Sequence, residues 1–260
     1  MRSAVLLCFV AADARKPSYD EQLSSYSSTF AAECTREKLD QYAVPGAPAV
    51  RDLLQPYLKM SPMGQDQRVF MLSHLKRVLD ARVPGAVLEL GAREGGTSLL
   101  FRRMLDAYDP AGRSGRGSFH VYDSFAGFGK LGEARDAHMQ HVVRTVRESP
   151  PQMRRSFADA SLTPPHVHAG FFGNISDSAY PEQIAFAFFD GDLYQSITDS
   201  FAKVLHKMSP GGTIVVHDFA KPDSKYPGAR RATLDYLARP ASSPWRVREC
   251  FQMMAAVRAE

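Results

Sequence analysis

Val87-Leu88-Glu89-Leu90-Gly91-Ala92-Arg93-Glu94-Gly95-Gly96-Thr97-Ser98 decides how the rest of the chain is read. An apolar run carries an acid near its end and breaks into a glycine turn. Thr97-Ser98-Leu99-Leu100-Phe101 then opens a helix. A strand, turn and helix in this order can hold a nucleoside-bearing ligand, because glycine permits close backbone approach and the helix N-terminus offers free N–H groups. The spacing is Glu-x-Gly-x-x-x-Gly, whereas dinucleotide folds use Gly-x-Gly-x-x-Gly to cradle a diphosphate. An acid beside the first glycine and no diphosphate cradle suit S-adenosylmethionine (SAM) better than NAD.

Working outward, strands and helices alternate on both sides of this turn. Val69, Leu72, Leu75, Val78 and Leu79 recur at three- and four-residue steps and predict an amphipathic helix over 65–81, stopped by Val83-Pro84-Gly85. Strands are predicted at 86–90, 118–122, 164–169, 185–189 and 212–216, with two more at 245–248 and 253–257. Helices are predicted at 97–108, 193–208 and 229–238, with Ser209-Pro210-Gly211-Gly212 as the stop of the second. Ala185-Phe186-Ala187-Phe188-Phe189 is apolar throughout, as a central parallel strand is. Repeated βα units predict an α/β fold: a doubly wound, mostly parallel sheet with right-handed crossovers. Residues 63–260 form that domain. Residues 1–62 are an N-terminal extension, within which about 15–50, polar and mixed and closed by Pro45-Gly46-Ala47-Pro48, reads as helical or irregular without a fold of its own.

Bulk composition narrows the function. The 260 residues are 44% hydrophobic and 23% charged, with a net charge of +4. The basic residues come as isolated pairs (Arg102-Arg103, Arg154-Arg155, Arg230-Arg231), not as a stripe with interleaved aromatics, so nucleic acid is not expected as a partner. Three scattered cysteines, Cys8, Cys34 and Cys250, suggest neither a zinc knuckle nor a disulfide framework. Ala4–Ala12 after Arg2 imitates a short signal peptide, but SAM is made in the cytosol, so a cytoplasmic location is expected. No run approaches membrane-spanning length.

Polar groups follow four of the predicted strands: Glu89, Asp123, Asp190 and His217-Asp218. In an open α/β sheet ligands bind at the carboxyl ends of strands, so these groups should converge. Asp123 is placed to accept hydrogen bonds from ribose hydroxyls. Ser124 stands beside it, and Phe125 and Phe128 either line an adenine pocket or pack in the core. Asp190 and Asp218 on neighbouring strand ends make a hard oxygen site that suits Mg²⁺. Such an ion lowers the pKa of a hydroxyl it binds. Asp192 reads as the N-cap of the following helix. His217 can be a metal ligand, a general base or a structural histidine. His138 and His141 are spaced as a helical pair but sit in a polar region and read as solvated, and of His166 and His168 one faces solvent.

These segments resemble the macrocin/mycinamicin sugar O-methyltransferases, a family of class I SAM-dependent methyltransferases. The likeness runs from about Met63 to Ala238. It is carried by Arg68 through Gly85, Glu89-Leu90-Gly91 with Gly95-Gly96, Asp123 to Phe128, Gly170-Phe171-Phe172, Asp190 to Ser196, Ser209 to Gly212, and Pro227 to Ala232. Val87 to Gly91 also resembles the metal-dependent catechol O-methyltransferases. The resemblance implies Glu89, Gly91, Thr97, Asp123 and Ser124 at SAM, with Gly95 closing the same turn and Met63 near the methionine end. It implies Mg²⁺ held by Asp190 and by the pair after the next strand, and an N-terminal region that covers the site and helps form a homo-oligomer. The expected reaction moves a methyl group to a hydroxyl of a sugar or other vicinal diol. An NAD-dependent oxidoreductase and a non-catalytic SAM-binding protein are the alternatives. Three positions depart from the pattern. His217-Asp218 stands where the family has two acids, and Asn174-Ile175 where it has Asp-Thr. Leu193 replaces the lysine base of the catechol enzymes, which leaves Asp190 or His217 to take the proton, or the metal alone to suffice.

Overall fold

A computed structural model describes residues 63–109, 118–128, 136, 139, 150–219, 226–237 and 244–259. The expected extension over 1–62, the signal-like segment, His138 and His141 lie outside them. The elements are α1 (Gln65–Asp80), β1 (Ala86–Leu90), α2 (Gly96–Tyr108), β2 (Phe119–Asp123), α3 (Pro150–Asp159), β3 (His166–Ala169), β4 (Ile184–Phe189), α4 (Tyr194–Val204), β5 (Met208–Val216), α5 (Pro227–Leu237), β6 (Trp245–Cys250) and β7 (Met253–Arg258).

The sheet has the order β3-β2-β1-β4-β5-β7-β6. The first five strands run parallel, and β7 and β6 close the far edge antiparallel. Strand side chains alternate between two cores, as a period of two requires. Val87, Val121, Phe186, Phe188 and Val215 face α1, α2 and α3. Leu88, Leu90, Tyr122, Phe189, Ile214 and Val216 face α4 and α5. Both faces are covered, which is why the parallel strands read as unbroken apolar runs. Phe101 of α2 meets Phe119, Phe186 and Phe188 edge-on at 5.7–6.0 Å and ties two strands, β2 and β4, to one helix.

The chain winds outward through β2 and β3, then returns to lay β4 on the other side of β1. The order therefore reverses between β1 and β4, and a crevice opens above their carboxyl ends.

Three sequence expectations need correction. The helix predicted to run to Met208 ends at Val204, passes through a 3-10 turn at Leu205–Lys207, and gives way to β5 already at Met208. Ser209 to Gly212 does turn, with Gly211 at φ +74°, but it bulges between two paired stretches: Met208 pairs Ile184 and Thr213 pairs Phe186. Pairing upstream of a Pro-Gly-Gly bulge leaves no local pattern. The last helix starts at Pro227, two residues early, because proline is pre-shaped for the first helical turn. Cys250, at the end of β6, is disulfide-bonded, so one bridge exists where none was expected.

Candidate active site

One extra rung of backbone pairing lies just beyond the strands. Gly170 N–H donates to the Asp123 carbonyl at 2.8 Å, Gly91 to Tyr122 at 2.8 Å, Asp190 to Leu90 at 2.8 Å and His217 to Phe189 at 2.9 Å. This row fixes five adjacent chain ends against one another and sets their side chains along one rim. Immediately past it, four non-glycine residues adopt left-handed backbone: Arg93 (φ 48°), Phe125 (49°), Asp192 (60°) and Asp218 (54°). One follows each of β1, β2, β4 and β5. Such conformations cost about 1–3 kcal/mol each and gather where a site over-determines the backbone.

Gly91 serves this rim more than it serves a ligand. Its φ is +97°, and a Cβ there would stand 2.1 Å from the Asp190 carbonyl oxygen. The glycine lets β1 turn against the loop that carries Asp190. Gly95, at φ +86°, is the N-cap of α2, and a Cβ on it would meet Met153 of α3 at 3.0 Å.

The cofactor-side acids are partly satisfied by protein. Asp123 Oδ2 accepts from Ala92 N–H at 2.8 Å and Arg93 N–H at 2.9 Å, and Oδ1 accepts from Phe125 N–H at 2.8 Å. A carboxylate offers about four acceptor positions, so roughly one remains for a ribose hydroxyl. Ser124 accepts from Ala126 N–H and donates to the Gly127 carbonyl at 2.6 Å, shaping the turn. Phe125 is half-buried against the core, so packing accounts for its ring. Thr97 is buried in the first turn of α2. Met63 is buried among the residues of the α1 face.

Glu89 is fully buried. Its Oε2 accepts from the Ser98 hydroxyl, while Oε1 has no partner. Burial pushes its pKa well up, the Ser98 hydrogen bond opposes this, and Asp190 and Asp123 add to it. Burial thus favours the protonated form of Glu89, which could offer a proton from an otherwise orphaned edge.

On the other side of the crevice, Asp190, His217 and Asp218 present ligand atoms that all lie within 4.8 Å of one another. His217 Nδ1 stands 2.9 Å from an Asp190 oxygen and 3.1 Å from an Asp218 oxygen. Neither contact has the direction of a good hydrogen bond, and both ring nitrogens are buried. Burial works against charge on the ring, but Asp190 and Asp218 outweigh it and push the pKa up to about 11. With no ion between them, the two carboxylates thus favour a proton on the ring, which a bound cation would have to displace.

Asp192 does not cap α4. Its carboxyl turns to Asp218 instead, and burial, that shared hydrogen bond and the nearby Asp190 push its pKa well up. The cap comes from Asp136, 58 residues before Tyr194, which accepts from Tyr194 N–H at 2.8 Å and Gln195 N–H at 3.2 Å. No sequence signal marks that partner. Arg230 of α5 lies 4.3 Å over the Phe219 ring, donates to the Phe219 carbonyl and pairs with Glu249 at 2.8 Å, which anchors the segment after His217-Asp218. Away from the crevice, His166 is exposed, while His168 stacks on His120 and Tyr122 at the sheet edge.

A doubly wound sheet with a crevice at its reversal and acids on four strand ends defines the fold of the class I SAM-dependent methyltransferases. The solved O-methyltransferase NovP superposes with a TM-score of 0.67 at 24% identity, covering 77% of this chain and 83% of that one. CalS11, a calicheamicin methyltransferase, gives 0.60 at 18% identity over 94% of each chain. The chain belongs to the macrocin-O-methyltransferase (TylF) family, whose model matches residues 4–240. Among characterised relatives, the 8-demethyl-8-(2,3-dimethoxy-alpha-L-rhamnosyl)-tetracenomycin-C 4'-O-methyltransferase of Streptomyces olivaceus is 31% identical over 172 residues, 64% of this chain and 62% of that protein. The mycinamicin III 3''-O-methyltransferase of Micromonospora griseorubida is 30% identical over 183 residues, 66% of this chain and 68% of that protein. The demethyldecarbamoylnovobiocin O-methyltransferase of Streptomyces niveus is 32% identical, over 55% of both. The chain thus matches less than two thirds of the length of two of these three relatives.

Proposed function

We propose that this protein transfers a methyl group from SAM to a hydroxyl of a sugar or sugar-bearing natural product, with a divalent cation held by Asp190, His217 and Asp218. The observation that carries this reading is the meeting of two unlike half-sites over one crevice. Glu89, Gly91 and Asp123 stand on the β1–β2 side, and two carboxylates with an imidazole stand on the β4–β5 side. The relatives that act on sugar-bearing natural products support the acceptor class.

The donor set fits a divalent cation. Two carboxylates converge with a buried nitrogen that directs no hydrogen bond at either of them, so all three can face a common point. Mg²⁺, which takes one or two carboxylates and keeps waters or substrate oxygens, is the ion that the carboxylates suit. When bound, SAM supplies an electrophilic methyl and the cation supplies positive charge beside the acceptor oxygen.

The chain's own residues do the rest. Asp123 holds the glycine turn open and keeps one acceptor position for a ribose hydroxyl. Glu89 offers a neutral O–H donor where a second anion would repel Asp190. Asp190 is the group on this rim that can take the acceptor's proton, since Leu193, where the catechol enzymes have lysine, is buried and apolar and the two carboxylates already favour a proton on His217. A cytoplasmic location follows from the donor, although the disulfide at Cys250 pulls the other way. Among the described residues no helix is long and apolar enough to cross a membrane.

The test is direct. S-adenosylhomocysteine should bind the purified protein, and methyl transfer to a panel of glycosylated acceptors should require a divalent ion. Full turnover in excess EDTA refutes the metal role. Binding of S-adenosylhomocysteine with no transfer under any ion favours a non-catalytic SAM-binding protein.

A further inference from the structure

We infer that His217 makes this a mixed nitrogen–oxygen metal site that selects a first-row divalent ion of the Co²⁺, Ni²⁺ or Zn²⁺ type over Mg²⁺. The inference rests on the metal reading above and specifies the ion.

Three observations support it. The first is spacing. Metal–ligand bonds of about 2.1 Å place neighbouring ligands of an octahedral ion roughly 3.0 Å apart. His217 Nδ1 lies 2.9 Å from an Asp190 oxygen and 3.1 Å from an Asp218 oxygen. The imidazole nitrogen is therefore already at ligand separation from both carboxylates. The second is direction. Nδ1 aims a good hydrogen bond at neither oxygen, although both are within reach. The third is rigidity. The His217 backbone is paired to Phe189 at 2.9 Å, its ring meets Phe188 edge-on at 6.3 Å, and Arg230 anchors the segment through Phe219. These contacts fix the backbone that carries the ring and pack one edge of it.

The chemistry then selects the ion. Mg²⁺ is hard, prefers oxygen and surrenders water reluctantly. Imidazole suits Zn²⁺, Fe²⁺ and Ni²⁺, and affinity for nitrogen-containing sites rises from Mn²⁺ through Co²⁺ to Ni²⁺. An imidazole in place of a carboxylate also removes one negative charge from the donor set. That weakens an ion held mainly by charge more than one held partly by its bond to nitrogen.

The experiment is a pair of calorimetric titrations of the full chain, with Co²⁺ and with Mg²⁺, and a proton NMR spectrum of the Co²⁺-loaded protein. Co²⁺ is expected to bind at least about tenfold more tightly than Mg²⁺. The spectrum is expected to show a far-shifted, exchangeable imidazole N–H from the buried Nε2 side of His217. His217→Asp should lose that resonance and narrow or reverse the preference. Should that variant not fold, the wild-type resonance and the two titrations still decide. Mg²⁺ binding as tightly as Co²⁺, with no shifted imidazole signal, overturns the inference and leaves the metal reading standing. Failure of both ions to bind overturns the two together.

Discussion

The two sides of the crevice solve the problem of buried acids in opposite ways. On the β1–β2 side the charge is spent on the protein itself: Asp123 accepts three backbone N–H groups, and burial favours the protonated form of Glu89. On the β4–β5 side Asp190, Asp192 and Asp218 crowd around one imidazole, and Asp190 and Asp218 pull positive charge, a proton or an ion, toward it. The first side is built before any ligand arrives. The second is built around a cation. Like charges this close are tolerated only when a counter-charge is present.

The sharpest way to break this contrast is to remove a carboxylate from the β4–β5 side. Asp190→Ala or Asp218→Ala should cut divalent-dependent methyl transfer by about 10³-fold, the scale of losing a preorganised electrostatic group. S-adenosylhomocysteine affinity should hardly change. Turnover assays beside calorimetry read both, and a parallel loss of cofactor affinity would merge the two half-sites into one. Next in size is the backbone contact that joins them. Gly91→Ala forces a Cβ to within 2.1 Å of the Asp190 carbonyl at a positive φ and should cost about 3 kcal/mol or more by chemical denaturation. A neutral effect would mean that the glycine serves the cofactor alone.

Glu89 tests whether the first side is neutral. Glu89→Gln keeps shape and donor, so stability and S-adenosylhomocysteine affinity should stay close to wild type. Glu89→Ala leaves the Ser98 hydroxyl without its acceptor and should cost about 2 kcal/mol. If Gln proves as harmful as Ala, the acid is ionised after all. Asp136→Ala should cost about 1 kcal/mol, as the loss of a helix cap does. Its effect should fall on stability and on metal affinity through the Asp190–Leu193 loop, not on S-adenosylhomocysteine.

The smallest effect belongs away from the crevice. Burial, His166 and His168 lower the His120 pKa from 6.5 to about 4, so the folded protein keeps that ring neutral. Between those values the unfolded chain binds the extra proton, and stability must fall as pH drops from 6.5 toward 4 and then level off. His120→Asn should flatten that part of the wild-type curve. An unchanged slope would assign the acid sensitivity to other groups.

Much of this was legible in the chain. The strand, turn and helix around Glu89 and Gly91, the apolar run at Ala185–Phe189 and the acids at Asp123, Asp190 and Asp218 carry strong local signals. An acid after a buried strand has only the rim to face. Asp192 was misread as a helix cap because a residue before a helix looks the same whether its side chain turns back to the N–H groups or forward to Asp218. Asp136 was invisible for the complementary reason: the capping group comes from 58 residues away, and no spacing rule reaches that far. Arg230 read as part of a motif and turned out to hold the Phe219 carbonyl.

The sequence by itself determined the alternation of elements, the class of fold and the types of side chain at each strand end. These follow from local periodicity and from turn chemistry. Tertiary structure alone decided which of those ends lie side by side. It gave Gly91 to the Asp190 backbone, left Asp123 about one free acceptor position, and brought His217 Nδ1 within 3.1 Å of two carboxylates. Those outcomes depend on strand order and on the row of hydrogen bonds across β3, β2, β1, β4 and β5, which pairs residues remote in sequence and is therefore written in no single stretch of it.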